Sequence, residues 1–585
     1  MHTRAAVAVI AAIVALQVPT AQIAIAGATL WTKLVAPLGH VQAMELAADG
    51  SHHILYRSET TTYSSYYATD RGGRWTTQPI FGDALDLTLD TEGRAWVLVN
   101  VFQWAGDAGV RIYHDQAGTM VGEDVTAPGA PGSHRSDRGA LAVAGDGTVS
   151  VAWSASDAAV TFYRAKGAGG WGDLVSLGAE NLAPRVRGVD LLVDQADVPH
   201  VIVSGAFDAG AARPEACDSG PGACTVDIAM TATPATTGIG HLAGLVDSDL
   251  DAQGNAVVVV RSDIDLAFAS NAGGTWATEP VVSVNTSSAT VSAGPLGPVV
   301  FFDSSGLRRA DRGPGGWTVS PVTTLASDQH SAGDVDTGGG SHIAFSRVSW
   351  HDEGYVGDVY LVAPDAKAPL IGEPRATARA GKVVGSTAST RISWSASDAL
   401  SGLARYQLQQ SVNGGTWSTV SSTLTSAYAD RSLRPGSTTY RFRVRGWDAA
   451  GNVSAFVTGP TITMRHLQES SSAITYSGTW ARSAKTAFSG GAVRYAASKA
   501  ASATIKFTGR GFSLVSTYAS SRGYIRVFVD GVEVPAVKLN RSSTTYRVVA
   551  YSISWITSAP HTIVLRPAGT AGHPRVDLDA ILVIK

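Results

Sequence analysis

The sequence predicts an all-β protein of several domains, and three observations support this fold class. A unit of about 48 residues, made of short apolar strands joined by Gly or Asp turns, recurs through the first two thirds of the chain. Later segments such as YRFRVRGWD (440–448) alternate apolar and polar residues, which is the pattern of a half-buried strand. The chain of 585 residues is also longer than one ordinary hydrophobic core can serve.

The first 26 residues have the pattern of a secretory signal peptide. Arg4 supplies a positive charge, residues 5–16 form an unbroken apolar run, and Ala24, Ile25 and Ala26 form an AxA-like cleavage site. The apolar run is shorter than the roughly 20 residues that a membrane span needs. We therefore expect an exported, extracellular protein without a membrane span.

Charge and cysteine content restrict the expected partners. The net charge of -3 and the pI near 6.5 lack the basic footprint of nucleic-acid binding. Cys217 and Cys224 flank a Gly-Pro-Gly turn in CDSGPGAC, which predicts a local disulfide worth about 2.5 kcal/mol in an oxidising compartment. A metal or redox thiol site is the alternative, although no His lies near the pair. No cofactor or metal is expected.

The repeat extends over residues 27–364 in seven units of four strands each. Its best copies begin at Met44 and Ser248, and runs such as AVVVV (256–260) are apolar on both strand faces. Such strands suit a sheet that is packed between two neighbouring sheets. The leading segment ATLWTKLVA (28–36) is predicted to supply the fourth strand of the last unit, so that the ring closes. These features predict a seven-bladed β-propeller.

Three turns of the repeat approximate the pattern SxDxGxTW. They are TDRGGRW (69–75), SNAGGTW (270–276) and ADRGPGGW (310–317). They resemble the Asp-box of the propeller superfamily that includes sialidases. The resemblance implies a structural role, in which the polar side chain bonds turn amides and the Trp packs between blades. The arginine-bearing FRIP-type segment of sialidases is absent, which argues against sialidase chemistry.

The register of the repeat places several polar residues at one mouth of the propeller. Arg57, Arg261 and Arg347 follow second strands, while Asp83, Arg187 and His330 precede first strands. We predict that the four arginines contact an anionic or polyhydroxylated ligand there, together with Asp83 and His330. The alternative is that these residues solvate loop tips.

Two smaller β domains are predicted after a linker at 365–372. Residues 369–465 resemble a fibronectin type III domain, bounded here at 373–465. Trp394, Tyr406, Leu433 and Tyr440 are expected in its core, with Arg441, Arg443 and Arg445 facing outward. The resemblance implies a spacer between functional domains.

Residues 466–585 resemble the galactose-binding-like jelly-roll modules of secreted glycan-active proteins. Alternating strands with Gly and Asp-Gly turns carry this resemblance, for example in FTGRG and VDG. It implies ligand contacts through Trp480, Tyr518, Arg522 and Tyr524, with Trp555, His561 and Asp577 as further candidates. The alternative is that the aromatic residues belong to the core.

The sequence thus predicts a secreted protein that binds glycans or a cell surface, with polysaccharide as the partner and no catalysis. One alternative is a glycoside hydrolase or lyase at the propeller face. Another is a scaffold or adhesin that binds protein. A carboxylate pair about 5 to 10 Å apart in the channel would favour the hydrolase.

Overall fold

A computed structural model describes residues 23–25, 28–58, 64–102, 108–126, 136–155, 161–177, 186–205, 225–231, 244–261, 265–272, 277–284, 286, 288–323, 331–351 and 354–585. The chain divides into unit 1 (Met1–Asp365 and Ala399–Ser401) and unit 2 (Ala366–Asp398 and Gly402–Lys585). The described residues are mainly β-strands, which establishes the all-β class. No helix among them is long and apolar enough to cross a membrane.

The strands of unit 1 are short and follow one another closely. In chain order they are β1 (Ile23–Ile25), β2 (Ala28–Ala36), β3 (Gly39–Leu46), β4 (His52–Ser58), β5 (Ser64–Thr69), β6 (Thr76–Phe81), β7 (Asp83–Leu89), β8 (Ala95–Phe102), β9 (Ala108–Gln116), β10 (Thr119–Thr126), β11 (Ser136–Val143), β12 (Val149–Ala155), β13 (Thr161–Gly167), β14 (Gly170–Trp171), β15 (Val175–Leu177), β16 (Val186–Val193), β17 (Pro199–Gly205), β18 (Thr225–Thr231), β19 (Gly244–Leu250), β20 (Ala256–Arg261), β21 (Leu266–Ser270), β22 (Ala277–Val282), β23 (Ala289–Ser292), β24 (Val299–Asp303), β25 (Leu307–Gly313), β26 (Gly316–Pro321), β27 (Ser331–Val335), β28 (Ser341–His351) and β29 (Gly354–Pro364).

These strands form seven sheets in the described part of unit 1, numbered here in chain order. Sheets 1, 2, 5 and 6 are the four-stranded meanders β3 to β6, β7 to β10, β19 to β22 and β23 to β26. Sheet 3 runs β11-β12-β13 with β14 and β15 on β13, and sheet 7 runs β27-β28-β29-β2-β1. Sheet 4 is β16-β17-β18, and its β17 and β18 are parallel, unlike the other pairs.

The first strands of the seven sheets lie side by side in a closed ring. Strands β3, β7, β11, β16, β19, β23 and β27, the inner strands, each contact the next, and β27 contacts β3. One cavity, the channel, is lined by residues from all seven. In three inner strands the register shifts just before Ala43, Asp86 and Asp247, which line the channel. Such bulges redirect the side chains that follow them.

Packing on both faces explains the continuously apolar strands. In β20 every residue from Ala256 to Val260 is buried. Val257 and Val259 pack with residues of sheet 6, whereas Val258 and Val260 pack with Ile202 of sheet 4. Because each sheet has a neighbour on either side, neither face can carry polar residues without a buried polar group.

The strands of unit 2 are, in chain order, β30 (Leu370–Ile371), β31 (Arg375–Ala378), β32 (Ala388–Ser393), β33 (Ala396–Ser397), β34 (Leu403–Val412), β35 (Ser418–Leu424), β36 (Tyr428–Leu433), β37 (Thr439–Asp448), β38 (Val457–Thr458), β39 (Ile462–Gln468), β40 (Ile474–Ser477), β41 (Ala481–Ala484), β42 (Ala492–Ala496), β43 (Ser502–Tyr518), β44 (Tyr524–Val529), β45 (Val532–Lys538), β46 (Thr545–Pro567), β47 (Val576–Leu578) and β48 (Ala580–Ile584). A 3-10 turn covers Ser489–Gly491.

The largest described sheet of unit 2 has eleven strands, which come from both halves of the unit. Its order is β35-β34-β37-β39-β48-β43-β46-β44-β45, with β38 on β37 and β40 on β43. Strand β48 lies between two cores, because Leu582 and Ile584 face one hydrophobic cluster while Ile581 and Val583 face the other. Residues 465 and 466, which separate the two predicted domains, lie within β39. The two halves of unit 2 therefore share strands.

The alternation predicted for YRFRVRGWD is confirmed. Tyr440, Phe442 and Val444 are buried in the first of these clusters, together with Trp394, Tyr406 and Leu433. Arg441 is exposed, and Arg443 and Arg445 are half-buried on the other face of the sheet. A strand with one apolar and one charged face can bury only the apolar one.

Candidate functional site

The channel of unit 1 is an acidic cavity of about 520 Å³. This volume lies within the range of ordinary ligand pockets. Its lining includes six carboxyl side chains, those of Glu45, Asp86, Asp190, Asp247, Asp249 and Asp334. Among the described residues that line it, none is Arg, Lys or His. Six carboxyl groups thus share one cavity whose described lining holds no cationic side chain.

Several of these carboxyls hold neighbouring inner strands together. Asp86 of sheet 2 accepts hydrogen bonds from the N–H groups of Leu87 (2.8 Å) and, in sheet 3, Leu141 (2.7 Å). Asp249 of sheet 5 likewise accepts from the N–H groups of Leu250 and of Ala293, the residue after β23 of sheet 6, each at 2.7 Å. Asp247 accepts from Val291 N–H at 2.8 Å, and Asp190 accepts from Ser248 Oγ at 2.7 Å. An inner strand has one unpaired edge, and these oxygens satisfy its N–H groups.

Glu45 lacks such a structural role. It lines the channel from sheet 1, and its carboxyl makes no hydrogen bond within the described chain. Its pKa is therefore set by burial and by the neighbouring carboxylates alone. Asp334 of sheet 7 is intermediate. Its Oδ1 accepts from Ser292 Oγ (2.7 Å) and Val335 N–H (2.6 Å), while its Oδ2 has no partner among the described residues. Glu45, Asp334 and Asp247, whose Oδ1 also has no partner among the described residues, are therefore the carboxyls with oxygens to offer a ligand.

Burial and mutual repulsion raise the pKa values of these groups. Burial, followed by the charge of Asp334, raises the pKa of Glu45 well above its usual value. Burial and the charge of Asp190 raise the pKa of Asp86 to about 8, against the two N–H bonds that lower it. Burial raises the pKa values of Asp190 and Asp249 to about 6. Near pH 7 the channel therefore holds both protonated and ionised carboxyls, which is the condition for acid and base catalysis in one site.

Of the residues predicted at the propeller mouth, Arg57, Asp83 and Arg261 lie at or next to strand ends and Arg347 lies within β28, and none of these four lines the channel. Arg57 and Asp83 come together, with Nε and Oδ1 3.6 Å apart. Arg261 donates from Nη1 to the carbonyl oxygen of Thr286 at 2.7 Å, and Arg347 is exposed on β28. Arg187 lies in β16, but its side chain is not described. The residues His330, Cys217 and Cys224 lie outside the described part of the chain. The arginine site and the disulfide stay predictions.

Asp70, which the sequence predicts at an Asp-box position, takes part in the contact between sheets 1 and 7. Asp70 accepts hydrogen bonds from the N–H of His52 and from its Nδ1, each at 2.8 Å. His52 Nε2 lies 2.8 Å from Nδ1 of His342 in sheet 7. Burial lowers the pKa of His342 to about 4. The indole ring of Trp75 stacks on the imidazole of His52, with ring centres 6.3 Å apart. Through His52 this turn therefore contributes to the contact between sheet 1 and sheet 7.

The residues predicted to bind ligand in unit 2 have internal partners. Trp480 donates from Nε1 to Ser502 O at 3.1 Å and packs against the second core. Arg522 is buried and forms an ion pair with the buried Asp577 at 2.7 Å. Tyr518 and Tyr524 are half-buried, and Tyr518 carries the guanidinium of Arg541 4.9 Å from its ring centre.

Two further candidates form an aromatic stack in the same unit. Trp555 and His561 have ring centres 3.7 Å apart.

Sequence reasoning missed the acidic channel although the repeat contains a sign of it. Glu45, Asp249 and Asp334 each stand five residues before the turn glycine of their unit, at Gly50, Gly254 and Gly339. Asp86 and Asp247 stand two residues earlier in the register. An acidic residue that returns on one face of an otherwise apolar strand indicates a shared polar axis.

Comparisons with known proteins do not assign a family. No family model matches the chain, and no curated protein sequence matches it. Among solved structures, an exo-β-1,3-galactanase from Phanerochaete chrysosporium is 12% identical, with 86% of this chain and 96% of that chain covered and a TM-score of 0.26. A PL25 ulvan lyase is 10% identical over 65% and 94% of the two chains, with a TM-score of 0.28. A protein from Dyadobacter fermentans is 10% identical over 57% and 99%, with a TM-score of 0.32. These values are too low to transfer a function.

Proposed function

We propose that this protein is an exported glycoside hydrolase whose acid and base lie in the channel. In this proposal residues 1–26 direct export, residues 27–364 form a seven-bladed β-propeller of the Asp-box type, and 365–372 is a linker. Residues 373–465 and 466–585 are then fibronectin type III and jelly-roll domains. The observation that carries the proposal is Glu45, whose carboxyl has a raised pKa and no hydrogen bond to the described residues, in a cavity with five other carboxyls.

The chemistry requires one protonated carboxyl and one ionised carboxylate. Glu45 would donate its proton to the glycosidic oxygen while the bond from that oxygen to the anomeric carbon breaks. Asp334 would accept a proton from water through its unpartnered Oδ2, and the water oxygen would bond to the anomeric carbon. The charge of Asp334 is the largest electrostatic influence on the pKa of Glu45, after burial, which supports their pairing.

Charge favours a neutral polysaccharide as the substrate. Uronic or sialic acids would meet the carboxylates of Asp190 and Asp249 inside the channel, where the burial of these two groups strengthens repulsion between like charges. A lyase would also have to neutralise the uronate carboxylate, and the described lining provides no cationic side chain for this. Hydrolysis of a neutral chain is therefore preferred to lyase chemistry.

The test is the release of new reducing ends from a panel of neutral, uronic-acid and sialylated polysaccharides. We expect release from a neutral polymer, and a fall in kcat of about 10² to 10⁴ in Glu45→Gln, since the amide cannot donate the proton. Because the Glu45 carboxyl makes no hydrogen bond to the described residues, its replacement should leave the fold unchanged. The control is Glu92→Gln, whose side chain is 67% exposed, and it should keep full activity.

A second candidate function is glycan binding without catalysis. It is favoured by the hydrogen bonds of Asp86 and Asp249, which show that channel carboxyls can serve the fold alone. No release from any polymer by folded protein, with retention of the chain on an immobilised polysaccharide, would support this candidate. Release that Glu45→Gln leaves unchanged would contradict the assignment of the channel as the active site.

A further inference from the structure

One face of the large sheet in unit 2 carries arginines that alternate with aromatic rings. Strands β34 and β37 and the segments beside them supply these residues. We call the set the arginine-aromatic ladder, and its members are Arg405, Trp417, Arg443, Arg445, Trp447 and Phe456.

The ladder begins at the end of β37. The guanidinium carbon of Arg405 lies 3.6 Å from the centre of the Trp447 ring, and that of Arg445 lies 4.7 Å from the same ring. Arg445 is also 4.6 Å from the centre of Phe456. Each of these distances allows a cation-π contact.

Arg443 continues the ladder to its other end. Its guanidinium carbon is 4.3 Å from the centre of Phe456 and 4.5 Å from that of Trp417. The contacts therefore run without a break from Arg405 to Trp417. The guanidinium groups of Arg443 and Arg445 each contact two aromatic rings, which restricts their orientation.

Hydrogen bonds fix one edge of these arginines and leave the other edge unused. Arg443 and Arg445 donate from Nε to Oε1 of Gln409 and Gln407, each at 2.8 Å. Arg441, next to the ladder on β37, donates from Nε to Gly459 O at 3.1 Å. Within residues 357–585, whose side chains are all described, the terminal amino groups of these three arginines donate no hydrogen bond. They are thus oriented in advance, which lowers the entropic cost of binding a ligand.

This face also lacks carboxylates. No Asp or Glu of residues 354–585 lies within ion-pair distance of Arg405, Arg441, Arg443 or Arg445, whereas Arg526 elsewhere in the unit pairs with Glu533 at 2.6 Å. Arg441, Arg443 and Arg445 occupy alternate positions of one strand, so their Cα atoms lie roughly 7 Å apart in a row. The face presents a row of fixed positive charges on a chain of net charge -3.

We propose that the ladder, together with Arg441, binds an acidic polysaccharide through its carboxylate or sulfate groups. The free edge of a guanidinium donates two parallel hydrogen bonds to such a group. Single-stranded nucleic acid binds by stacking bases on aromatic faces. Trp447 and Phe456 each already contact two guanidinium groups, so they are poorly available for bases. This inference is independent of the channel and its proposed chemistry.

The test is a titration of the full chain with polygalacturonate, dextran sulfate and unmodified dextran. We expect binding of one or both acidic polymers at low salt, its loss near 0.5 M salt, where charges are screened within about 4 Å, and no binding of dextran. Arg443→Gln combined with Arg445→Gln should weaken binding at least about tenfold, because both oriented forks are lost. Arg443→Lys with Arg445→Lys keeps the charge and should weaken it less.

A matched double variant separates the ladder from net charge. Arg526→Gln with Arg566→Gln removes the same charge from two arginines that also lie over a ring, Phe528, at 5.0 and 5.4 Å. It should bind within about twofold of the wild type. Equal loss in both glutamine variants, or no binding of either acidic polymer, would overturn the proposal. Binding of a thymidine oligonucleotide that is tighter than binding of both acidic polysaccharides would also overturn it. If the ladder glutamine variant does not fold, the proposal is tested by the affinity of the lysine variant and by the binding of the three polymers to the wild type.

Discussion

The channel of unit 1 and the ladder of unit 2 handle charge in opposite ways. In the channel, carboxyls face inward, and three of the six accept hydrogen bonds from backbone N–H groups of the neighbouring sheet. In the ladder, guanidinium groups lie on a sheet face and contact aromatic rings. Burial therefore acts strongly on the carboxyls, whereas the ladder keeps its charged edges accessible.

The difference shows how the ionisable group decides what a site can do. A carboxyl titrates near neutral pH once burial raises its pKa, as for Asp86 with a pKa of about 8. A guanidinium group stays charged in proteins. The channel can consequently exchange protons, while the ladder can only attract and orient an anion.

The largest expected effect comes from a buried carboxylate that has cationic partners. Asp577 is fully buried between Arg522 and Arg575, each at 2.7 Å. Asp577→Ala should lower the free energy of unfolding of unit 2 by about 3 to 5 kcal/mol, because buried Arg522 loses its partner. In the channel, Asp249→Ala should cost only about 1 to 3 kcal/mol in unit 1, since it leaves N–H groups unpaired and no charge.

Hydrogen exchange in increasing denaturant would measure each unit separately. Equal costs for the two substitutions would mean that the partners of a carboxyl matter less than its burial, and the contrast between the regions would fail.

A smaller effect follows from the raised pKa values in the channel. The folded state holds protons on Asp86, Asp190 and Asp249, whose pKa values of about 8, 6 and 6 exceed the value of 3.8 expected in an unfolded chain. Their contribution to stability is complete below pH 4 and is lost as pH rises through 6 to 8. Glu45, with its raised pKa, acts in the same direction.

Glu45→Gln should therefore stabilise unit 1 more at pH 8 than at pH 5, because the neutral amide removes the cost of ionising or keeping protonated a carboxyl whose pKa is raised. Thermal unfolding of variant and wild type at each pH measures the difference. The buried His342, whose pKa is lowered to about 4, costs stability below pH 6.5 in both proteins, so it cancels in the comparison. A difference that does not grow with pH would contradict the raised pKa of Glu45.

The smallest expected effect belongs to the ladder. Its affinity for dextran sulfate should change less than about twofold between pH 5 and pH 8, because neither arginine nor sulfate titrates there. Isothermal titration at constant ionic strength would measure it. A strong pH dependence would point to a titrating carboxyl or imidazole in the binding face, and the two regions would then differ less than their residues suggest.

Much of the strand structure could be predicted from local sequence. The alternation of Tyr440 and Phe442 with Arg441 and Arg443 determines which face of β37 is buried, because side chains of a strand point to opposite sides in turn. The run AVVVV likewise determines a strand that is covered on both faces. Both patterns depend only on the order of residues along the chain and on the hydrophobic effect.

The candidate site could not be predicted in the same way. The predicted mouth residues share a position in the repeat, and Arg57 and Asp83 do meet. The acidic residues recur at two positions of the repeat, but only the structure shows that these positions face the axis, since a bulge before Asp86 or Asp247 changes the side to which the following residues point.

The sequence by itself determined the all-β class, the recurring strand unit and the faces of its clearest strands, because these follow from local periodicity. Only the tertiary structure brought Glu45 of sheet 1 into one cavity with Asp334 of sheet 7 and Asp249 of sheet 5. Desolvation and repulsion among carboxyls arise only when distant strands close around them. The raised pKa of Glu45 is thus a property of the ring of inner strands.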